Sequence, residues 1–347
     1  MIEPDQEAPY DSLLVVSFGG PEGPEEVLPF LENVLRGRNV PRERMLEVGK
    51  HYQAFGGKSP INDQNRALIA ALGDELEKHG PRLPIYWGNR NWHPLLADTI
   101  EQMRDDGRRK TLAFFTSAYS SYSGCRQYRE NILEACTRVG SQSPVAPVVH
   151  KLRAFYNHPG FISPMIDRVR EAIAGIPDSD RGRTQVFYTA HSIPTSMSDG
   201  CDYVLQLQEA TRLVSEALDL VHYDLVFQSR SGPPQQPWLE PDICDAISSA
   251  HTTEKIKHAV IVPIGFISDH MEVLFDLDTE ARERCDSLGV QYLRAGTVGT
   301  HPEFVSMIRK LITERTEGAE RETLGSLGPR ADFCPENCCP PPPARRP

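Results

Sequence analysis

The sequence has no long hydrophobic run and no excess of positive charge. Its longest early apolar run, Leu13–Phe18, is far too short to span a bilayer. Lysine and arginine total 37 against 48 aspartates and glutamates, a net charge of −11, whereas binding to nucleic-acid phosphates needs a basic field. The acidic segment Met1–Asp11 lacks the basic start of a signal peptide. We therefore expect a cytoplasmic protein with no membrane span and no nucleic-acid partner.

The common motifs of α/β cofactor enzymes are incomplete. Gly56–Ser59 resembles the end of a P-loop, but Tyr52 stands where the first glycine is required. No G-x-G-x-x-G motif follows a predicted strand, and no G-x-S-x-G elbow is present. His270–Glu272 resembles the start of a zinc-deaminase signature, but no P-C-x-x-C follows it. These absences exclude the usual nucleotide-binding and hydrolase mechanisms.

The composition is that of a folded protein with two domains. The chain has 347 residues, of which 39% are hydrophobic and 8% aromatic, so it can bury substantial cores. Short apolar runs alternate with longer amphipathic stretches, one of which ends at Gly107. This alternation predicts an α/β fold with parallel sheets covered on both faces. The predicted strands are 13–18, 85–89, 111–118, 185–192, 223–230 and 258–266.

The two halves of the chain look like copies of one plan. VVSFGGP and YTAHSIP each combine a strand, a small turn and a proline, and FFTSAYSSYSG and VPIGFISDH each pass from a late strand into a polar loop. We therefore expect two similar lobes, residues 1–158 and 159–314, and a separate C-terminal tail, residues 315–347. Ligands of open α/β sheets bind beyond the carboxyl ends of the strands, so we look for functional residues there.

A histidine and a row of acids follow two of the predicted strands. His191 ends the strand VFYTA, where a neutral imidazole can accept a proton or bind a metal; the alternative is an ordinary loop histidine. Glu272, Asp276 and Glu280 recur at a spacing of four on a helix predicted from Asp269, which puts them along one face. Such a face suits a divalent metal, or it is simply solvated.

Basic residues and tyrosines cluster in the first lobe. Arg36, Arg38 and Arg90 lie on predicted loops, Ser59 follows a Gly-Gly-Lys sequence, and Tyr128 lies near a polar loop. The arginines could pair with the carboxylates of an anionic ligand, and the tyrosines could face a flat aromatic one. The alternatives are ordinary surface charge and packing.

The cysteines are unevenly distributed. Of the eight, Cys334, Cys338 and Cys339 lie in a tail that shows no helical or strand period. Reducing cytosol disfavours structural disulfides, so clustered thiols there more often bind a metal or carry out chemistry.

Six segments together resemble the ferrochelatase family, most closely its bacterial coproporphyrin-type members. They are SFGGPEGPEEVLPFLENV, HYQAFGGKSPIN, YWGNRNWHP, TAHSIPTS, FQSRSGPPQQPWLEPDI and PIGFISDHMEVLFDLD. The similarity runs from about Tyr10 to the tail. It implies the chelatase fold, two Rossmann-like lobes without a nucleotide, and insertion of Fe²⁺ into a porphyrin.

The resemblance also implies roles for residues of this chain. His191 matches the active-site histidine, which accepts protons or binds the metal, and Glu272 matches its partner carboxylate. Asp276 and Glu280 match an acidic ridge for metal or protons. The positions matching porphyrin-propionate contacts or lining the same entrance are Ser59, Tyr128, Arg36, Arg38 and Arg90.

Two features concern the substrate. The segment RGRNVPRERM is polar and basic where membrane-linked family members carry an apolar lip, which favours coproporphyrin III, with four carboxylates, giving coprohaem III. Phe18 stands where some bacterial relatives have an iron-ligating tyrosine, so His191 becomes the first candidate for an axial ligand. The expected downstream partner is a coprohaem decarboxylase. Protoporphyrin IX as substrate, or a carrier of porphyrin or metal without turnover, are the alternatives.

Some family members bind a [2Fe–2S] cluster through one thiol of the body and three of the tail. The resemblance therefore implies Cys125, Cys334, Cys338 and Cys339 as the ligands, with structural zinc as the alternative and redox sensing as an added role. The remaining cysteines, Cys136, Cys201, Cys244 and Cys285, are expected to be ordinary thiols.

Overall fold

The chain forms two four-stranded sheets in which every paired neighbour is parallel. The structure is a computed structural model that describes residues 9–37, 40–140, 145–233 and 235–341. Unit 1 takes in the chain up to Thr116, together with Gln127–Arg153 and Ile308–Arg321. Unit 2 takes in Ser117–Arg126, Ala154–Met307 and the chain from Glu322 onward. The predicted domains are continuous stretches, whereas each unit combines three stretches.

The two sheets repeat one topology. In unit 1 the order is β2-β1-β3-β4, and in unit 2 it is β6-β5-β7-β8, so the first strand of each set lies between the second and the third. This repetition agrees with the internal similarity of the sequence. The strands are β1 Ser12–Ser17, β2 Ile85–Asn89, β3 Lys110–Phe115, β4 Val148–Lys151, β5 Thr184–His191, β6 Tyr223–Gln228, β7 His258–Val262 and β8 Gln291–Arg294.

Helices alternate with these strands. In unit 1 they are α1 Val27–Val34, α2 Arg42–Ala54, α3 Ile61–His79, α4 Leu96–Asp105 and α5 Gln127–Val139. The others are α6 Pro159–Ile173, α7 Thr195–Ser198, α8 Tyr203–Ala217, α9 Ile243–Glu254, α10 Met271–Phe275, α11 Arg282–Leu288 and α12 Pro302–Thr316. Two 3₁₀ turns, Pro24–Glu26 and Asp178–Arg183, and two π-helical turns, Tyr122–Arg126 and Asp276–Ala281, complete the set.

The α/β prediction is confirmed, and all six predicted strands are present. The sequence pattern does not predict β4 and β8, which have four residues each and lie at the edges of their sheets. Both strands are only partly buried, and their sequences, VVHK and QYLR, mix polar with apolar residues. They therefore lack the continuous apolar run by which the buried strands are recognised. Central strands such as β1 and β7 are buried at every position and were therefore easy to recognise.

Helices pack against each sheet through a cluster of buried apolar side chains. In unit 1, Leu14 and Val16 of β1 lie with Ile100 and Met103 of α4. In unit 2, Ile261 of β7 lies in a second cluster together with residues of α9 and of the 271–285 segment. As predicted, α4 stops just before Gly107, whose φ of +74° suits the left-handed turn that follows the helix. None of the described helices is both long and apolar enough to cross a bilayer.

Candidate active site

His191 is the last residue of β5, so the strand delivers its imidazole to the carboxyl edge of the sheet. Its Nδ1 lies 2.5 Å from the carbonyl oxygen of Ser192. A carbonyl oxygen only accepts, so Nδ1 carries the hydrogen and donates it. In the neutral ring, Nε2 is therefore the basic nitrogen, and it lies 3.5 Å from Oε2 of Glu272. The structure thus joins the two residues that the sequence analysis assigned to catalysis.

Glu272 lies between two imidazoles. Its Oε2 is 3.4 Å from Nε2 of His270 as well as close to His191, and about half of its side chain, 48%, is exposed. Desolvation acts to raise the pKa of Glu272, but the hydrogen bond from His270 and the charges of both histidines outweigh it and lower the pKa to about 2. Glu272 is therefore a carboxylate at neutral pH, ready to stabilise a protonated neighbour.

His270 is the site residue that the sequence analysis missed. In the sequence it belongs only to an incomplete zinc-deaminase signature, two residues before Glu272. It takes the N-cap position of α10 in an extended conformation, with φ −144° and ψ 178°, and its ring centre is 4.9 Å from that of Phe266. This conformation turns the imidazole back toward the first turn of the helix, where Glu272 lies.

Asp276 differs from Glu272 in its charge state. The Ser229 hydroxyl hydrogen-bonds to its Oδ2, and Nε2 of Gln228 donates to the same oxygen at 3.3 Å. Burial, reinforced by the negative charges of Glu272 and Glu280, outweighs these bonds and raises the pKa of Asp276 to about 7. Asp276 therefore gains or loses a proton near neutral pH.

Ser229 holds its hydroxyl there at a conformational cost. Its φ is +61°, in the left-handed region that a residue with a side chain rarely adopts. Strained residues of this kind cluster at functional sites, where the surrounding structure stabilises them. The strain therefore supports a functional role for the Ser229–Asp276 contact.

The acidic row is not carried by one regular helix. The sequence predicts a helix from Asp269, but the helix begins two residues later, at Met271, and its N-cap is His270. From Asp276 to Ala281 the chain follows a wider π-helical turn before α11. The row is nevertheless preserved, because both flanking acids act electrostatically on Asp276. At its far end, exposed Glu280 has its pKa raised by burial of part of the group and by the charges of Asp242 and Glu283.

In unit 1 the structure brings Arg90 and Tyr128 together. The guanidinium of Arg90 lies 4.5 Å from the ring centre of Tyr128 and 5.9 Å from that of Phe18. Nε of Arg90 donates to Oδ1 of Asn131 at 2.7 Å. The guanidinium thus lies over aromatic rings and is oriented by Asn131, an environment that guanidinium favours.

The other predicted porphyrin-binding residues of unit 1 are in different settings. Ser59 is buried, 2% exposed, and its backbone N–H donates to the carbonyl of Pro21 at 2.9 Å. Arg36 is exposed in the turn that follows α1. Arg38 lies outside the described residues, so its predicted role stays a prediction.

The cysteines assigned to a cluster all belong to unit 2. Cys125 is buried in the π-helical turn Tyr122–Arg126, and the tail cysteines lie beyond Glu322. The Sγ atoms of Cys338 and Cys339 are 3.3 Å apart. Burial, together with the neighbouring Cys338 thiol and the charges of Cys201 and Cys334, raises the pKa of the Cys339 thiol well above its ordinary value.

These thiols are of the right chemical type for an iron–sulfur cluster, which needs thiolate ligands. No disulfide joins any of the eight cysteines, all of which are described. Within the described ranges, however, no three His, Cys, Asp or Glu side chains are arranged so that they could hold a metal ion. The structure therefore shows the Cys338 and Cys339 thiols in contact, with Cys201 and Cys334 acting electrostatically on Cys339, but it does not show a formed metal site. Cys201, expected to be an ordinary thiol, proves to be a neighbour of the tail.

The chain matches the family model described as Ferrochelatase over residues 10–316. It is 59% identical over 332 residues to a ferrochelatase of Rhodopirellula baltica, covering 95% of this chain and 93% of the relative. It is 49% identical over 353 residues to a coproporphyrin III ferrochelatase of Streptomyces griseus, covering 96% of this chain and 94% of the relative.

Among solved structures, the chain resembles SirB from Bacillus subtilis, determined with Fe³⁺. The TM-score is 0.51 at 14% identity, over 89% of this chain and 96% of SirB. At that identity, the likeness concerns the fold alone.

Proposed function

The chain belongs to the ferrochelatase family, and on this premise we propose that it inserts Fe²⁺ into coproporphyrin III to form coprohaem III in haem biosynthesis. Several relatives that match nearly the whole chain bear the name coproporphyrin III ferrochelatase. The polar, basic segment that follows α1 supports the same substrate, because it suits a porphyrin with four carboxylates better than an apolar one.

The observation that carries the proposal is the pairing of His191 with Glu272. A porphyrin must lose two N–H protons as it gains the metal, so the reaction needs a base beside the ring. The bond from Nδ1 to Ser192 leaves Nε2 of His191 as that base. Once protonated, Nε2–H faces the carboxylate of Glu272 at 3.5 Å, which stabilises the imidazolium.

The acidic row supports a route for the released protons. Asp276 changes protonation state near neutral pH, so it can both accept and release a proton under working conditions. Glu280, one turn further, is exposed to solvent. Carboxylate oxygens are also suitable ligands for Fe²⁺ shedding its water, so Glu272, Asp276 and Glu280 serve the iron substrate as well. His191 is the first candidate for an axial iron ligand, since Phe18 has no donor atom.

The residues of unit 1 supply the groups for the porphyrin carboxylates. Arg90 is the strongest candidate, because Tyr128 and Asn131 orient its guanidinium before any ligand arrives. Ser59, Tyr128, Arg36 and Arg38 complete the proposed set.

An anaerobic assay of Fe²⁺ insertion tests the proposal. We expect turnover with coproporphyrin III and much less with protoporphyrin IX, measured by loss of porphyrin fluorescence under matched conditions. Preference for protoporphyrin IX would overturn the substrate assignment. Tight porphyrin binding without turnover would instead favour a carrier, although a carrier needs no base beside the ring nitrogens.

We further propose that Cys125, Cys334, Cys338 and Cys339 hold a [2Fe–2S] cluster. Support comes from the contact between Cys338 and Cys339, from the charge interaction of Cys334 with Cys339, and from the placement of all four in unit 2. Such a cluster supplies one-electron chemistry when it is bound. No step of iron insertion depends on it here, and a structural zinc ion is the alternative for the same thiols.

We also propose a location, a downstream partner and a domain division for the protein. They are a cytoplasmic location, a coprohaem decarboxylase as downstream partner, and the division into domains 1–158, 159–314 and 315–347.

A further inference from the structure

The C-terminal part of the chain is anchored to unit 2 along helix α8. We call residues 322–341 the docked segment. Buried Asn157 holds its start, since the N–H of Leu324 donates to the carbonyl of Asn157 at 2.8 Å and Nδ2 of Asn157 donates to the carbonyl of Gly328 at 3.0 Å. The segment between these points turns toward Glu209 in the middle of α8.

Glu209 makes the next contact. Its Oε1 accepts a hydrogen bond from the N–H of Ser326 at 3.3 Å. Gly325 has φ +71°, and a Cβ placed there would come within 1.8 Å of the same oxygen. Only glycine therefore allows this close approach, and the docked segment is shaped to fit α8.

The docked segment then reaches the N-terminus of α8. Nη1 of Arg330 pairs with Oδ2 of Asp202 at 2.6 Å. Pro340 packs on Gly200, where an added Cβ would lie 2.9 Å from its Cγ. Asp202 is the N-cap residue of α8, but its side chain makes no capping bond, and its carboxylate pairs with Arg330. Arg330 and Pro340 therefore contact the residues on either side of Cys201.

The residue after Asp202 reaches the active site. Tyr203, the first residue of α8, donates its hydroxyl hydrogen to the backbone carbonyl of His191 at 3.1 Å. Its ring is buried and lies edge-on to Tyr119 at 6.2 Å. A small displacement of the N-terminus of α8 would therefore move the backbone of His191 through this hydrogen bond.

We propose that the docked segment positions His191 through Asp202 and Tyr203, so that the C-terminal chain supports the geometry of the active-site imidazole. Tyr203 and Arg330 are positioning residues in this scheme, since neither contacts the ring nitrogens. The proposal rests on the proposed function for the role of His191, but the position of the imidazole can be measured independently of catalysis.

The test compares two buried tyrosines of the same helix–strand interface. Tyr203→Phe removes the bond to His191, whereas Tyr188→Phe removes a similar buried bond, 2.9 Å between the Tyr188 hydroxyl and Oγ of Ser215, also between β5 and α8. Both variants keep the aromatic ring. Arg330→Gln tests the tail contact, and Arg181→Gln, which disrupts an exposed ion pair of unit 2, is its control.

The first readout is the imidazole signal of His191 in NMR spectra of the protein with ¹³C-labelled histidine. The chain has eleven histidines, and the His191 signal is the one lost in His191→Gln. We expect Tyr203→Phe and Arg330→Gln to shift this signal and the two controls to leave it in place. An unmoved signal in Tyr203→Phe or in Arg330→Gln overturns the proposal, and so does an equal shift in Tyr188→Phe.

The second readout is the split between kcat and KM. Loss of one neutral hydrogen bond should lower kcat about threefold to tenfold in Tyr203→Phe, with the KM for porphyrin unchanged. A shifted signal with unchanged kcat would support positioning and refute the catalytic role of His191. The NMR signal thus tests the positioning of His191, and kcat tests its role in the proposed function, so the two can fail separately.

Discussion

Nε2 of His191 and Oε2 of Glu272 lie 3.5 Å apart, with Nδ1 of the histidine engaged by the Ser192 carbonyl. This arrangement assigns the tautomer of the imidazole and directs its basic nitrogen toward a carboxylate. In such a pair the histidine can act as general base, and the carboxylate can stabilise the positive charge that forms on the imidazole.

Replacing His191 removes the base. We expect His191→Ala to lower the rate of iron insertion at least about 100-fold, the usual contribution of a positioned general base, while porphyrin still binds. Insertion rate and porphyrin affinity, by fluorescence titration, are the measurements. His222→Ala, which changes an exposed histidine of unit 2, is the control. Retained turnover in His191→Ala would refute the assignment.

His270 shares Glu272 with His191, so its loss should be felt through the carboxylate. In His270→Gln the imidazole that helps to lower the pKa of Glu272 is absent, and that pKa should rise from about 2 toward its ordinary value. We expect a loss of turnover of about tenfold, smaller than that of His191→Ala, because Glu272 keeps its other partner. Carboxyl NMR titration and kcat measure the two effects. An unchanged Glu272 pKa would contradict this account.

Asp276 should make stability depend on pH. Its pKa is raised from 3.8 to about 7 in the folded protein, so unfolding releases its proton between these values and the folded state loses stability as pH rises through that window. The Asp276→Asn variant has no carboxyl group at this position, so its stability does not fall for this reason as the pH rises. The melting temperature of the variant relative to the unaltered protein should therefore increase between pH 4 and pH 7.5. A difference that is the same at every pH would show that Asp276 has an ordinary pKa.

Arg90 should act on binding rather than on chemistry. Arg90→Lys keeps the positive charge but loses the fork geometry and the stacking on Tyr128. We expect the KM for coproporphyrin III to rise about tenfold, the scale of one charge-assisted hydrogen-bonded contact, with kcat nearly unchanged. Arg82→Lys, an exposed arginine of unit 1, serves as control. A fall in kcat without a change in KM would place Arg90 in another role.

The cluster proposal predicts a colour. Protein purified without oxygen should be brown, and its visible absorption should bleach with dithionite. Cys334→Ser should remove the absorption because a thiolate ligand is lost, whereas Cys136→Ser, in helix α5, should retain it. A colourless protein containing one equivalent of zinc would favour the structural-metal alternative.

Sequence patterns single out some residues of the candidate site and not others. His191 could be recognised because it follows a buried strand, and Glu272 because acids recur at helical spacing. His270 could not, since nothing in a single histidine two residues before a glutamate says that its ring turns back to that carboxylate. Cys201 was set aside as ordinary for a similar reason, because only the folded tail brings Cys338 and Cys339 toward it.

By itself, the sequence determined the alternation of strands and helices, the central buried strands and the chemical type of each site residue. These follow from local periodicity and from motifs, which neighbouring residues encode. Only the tertiary structure decided the edge strands, the π-helical turn at Asp276, the bond from Ser229 to Asp276 across 47 positions, and the docking of residues 322–341 on α8. Those features depend on register and packing between distant segments, and no local pattern specifies which distant groups will meet.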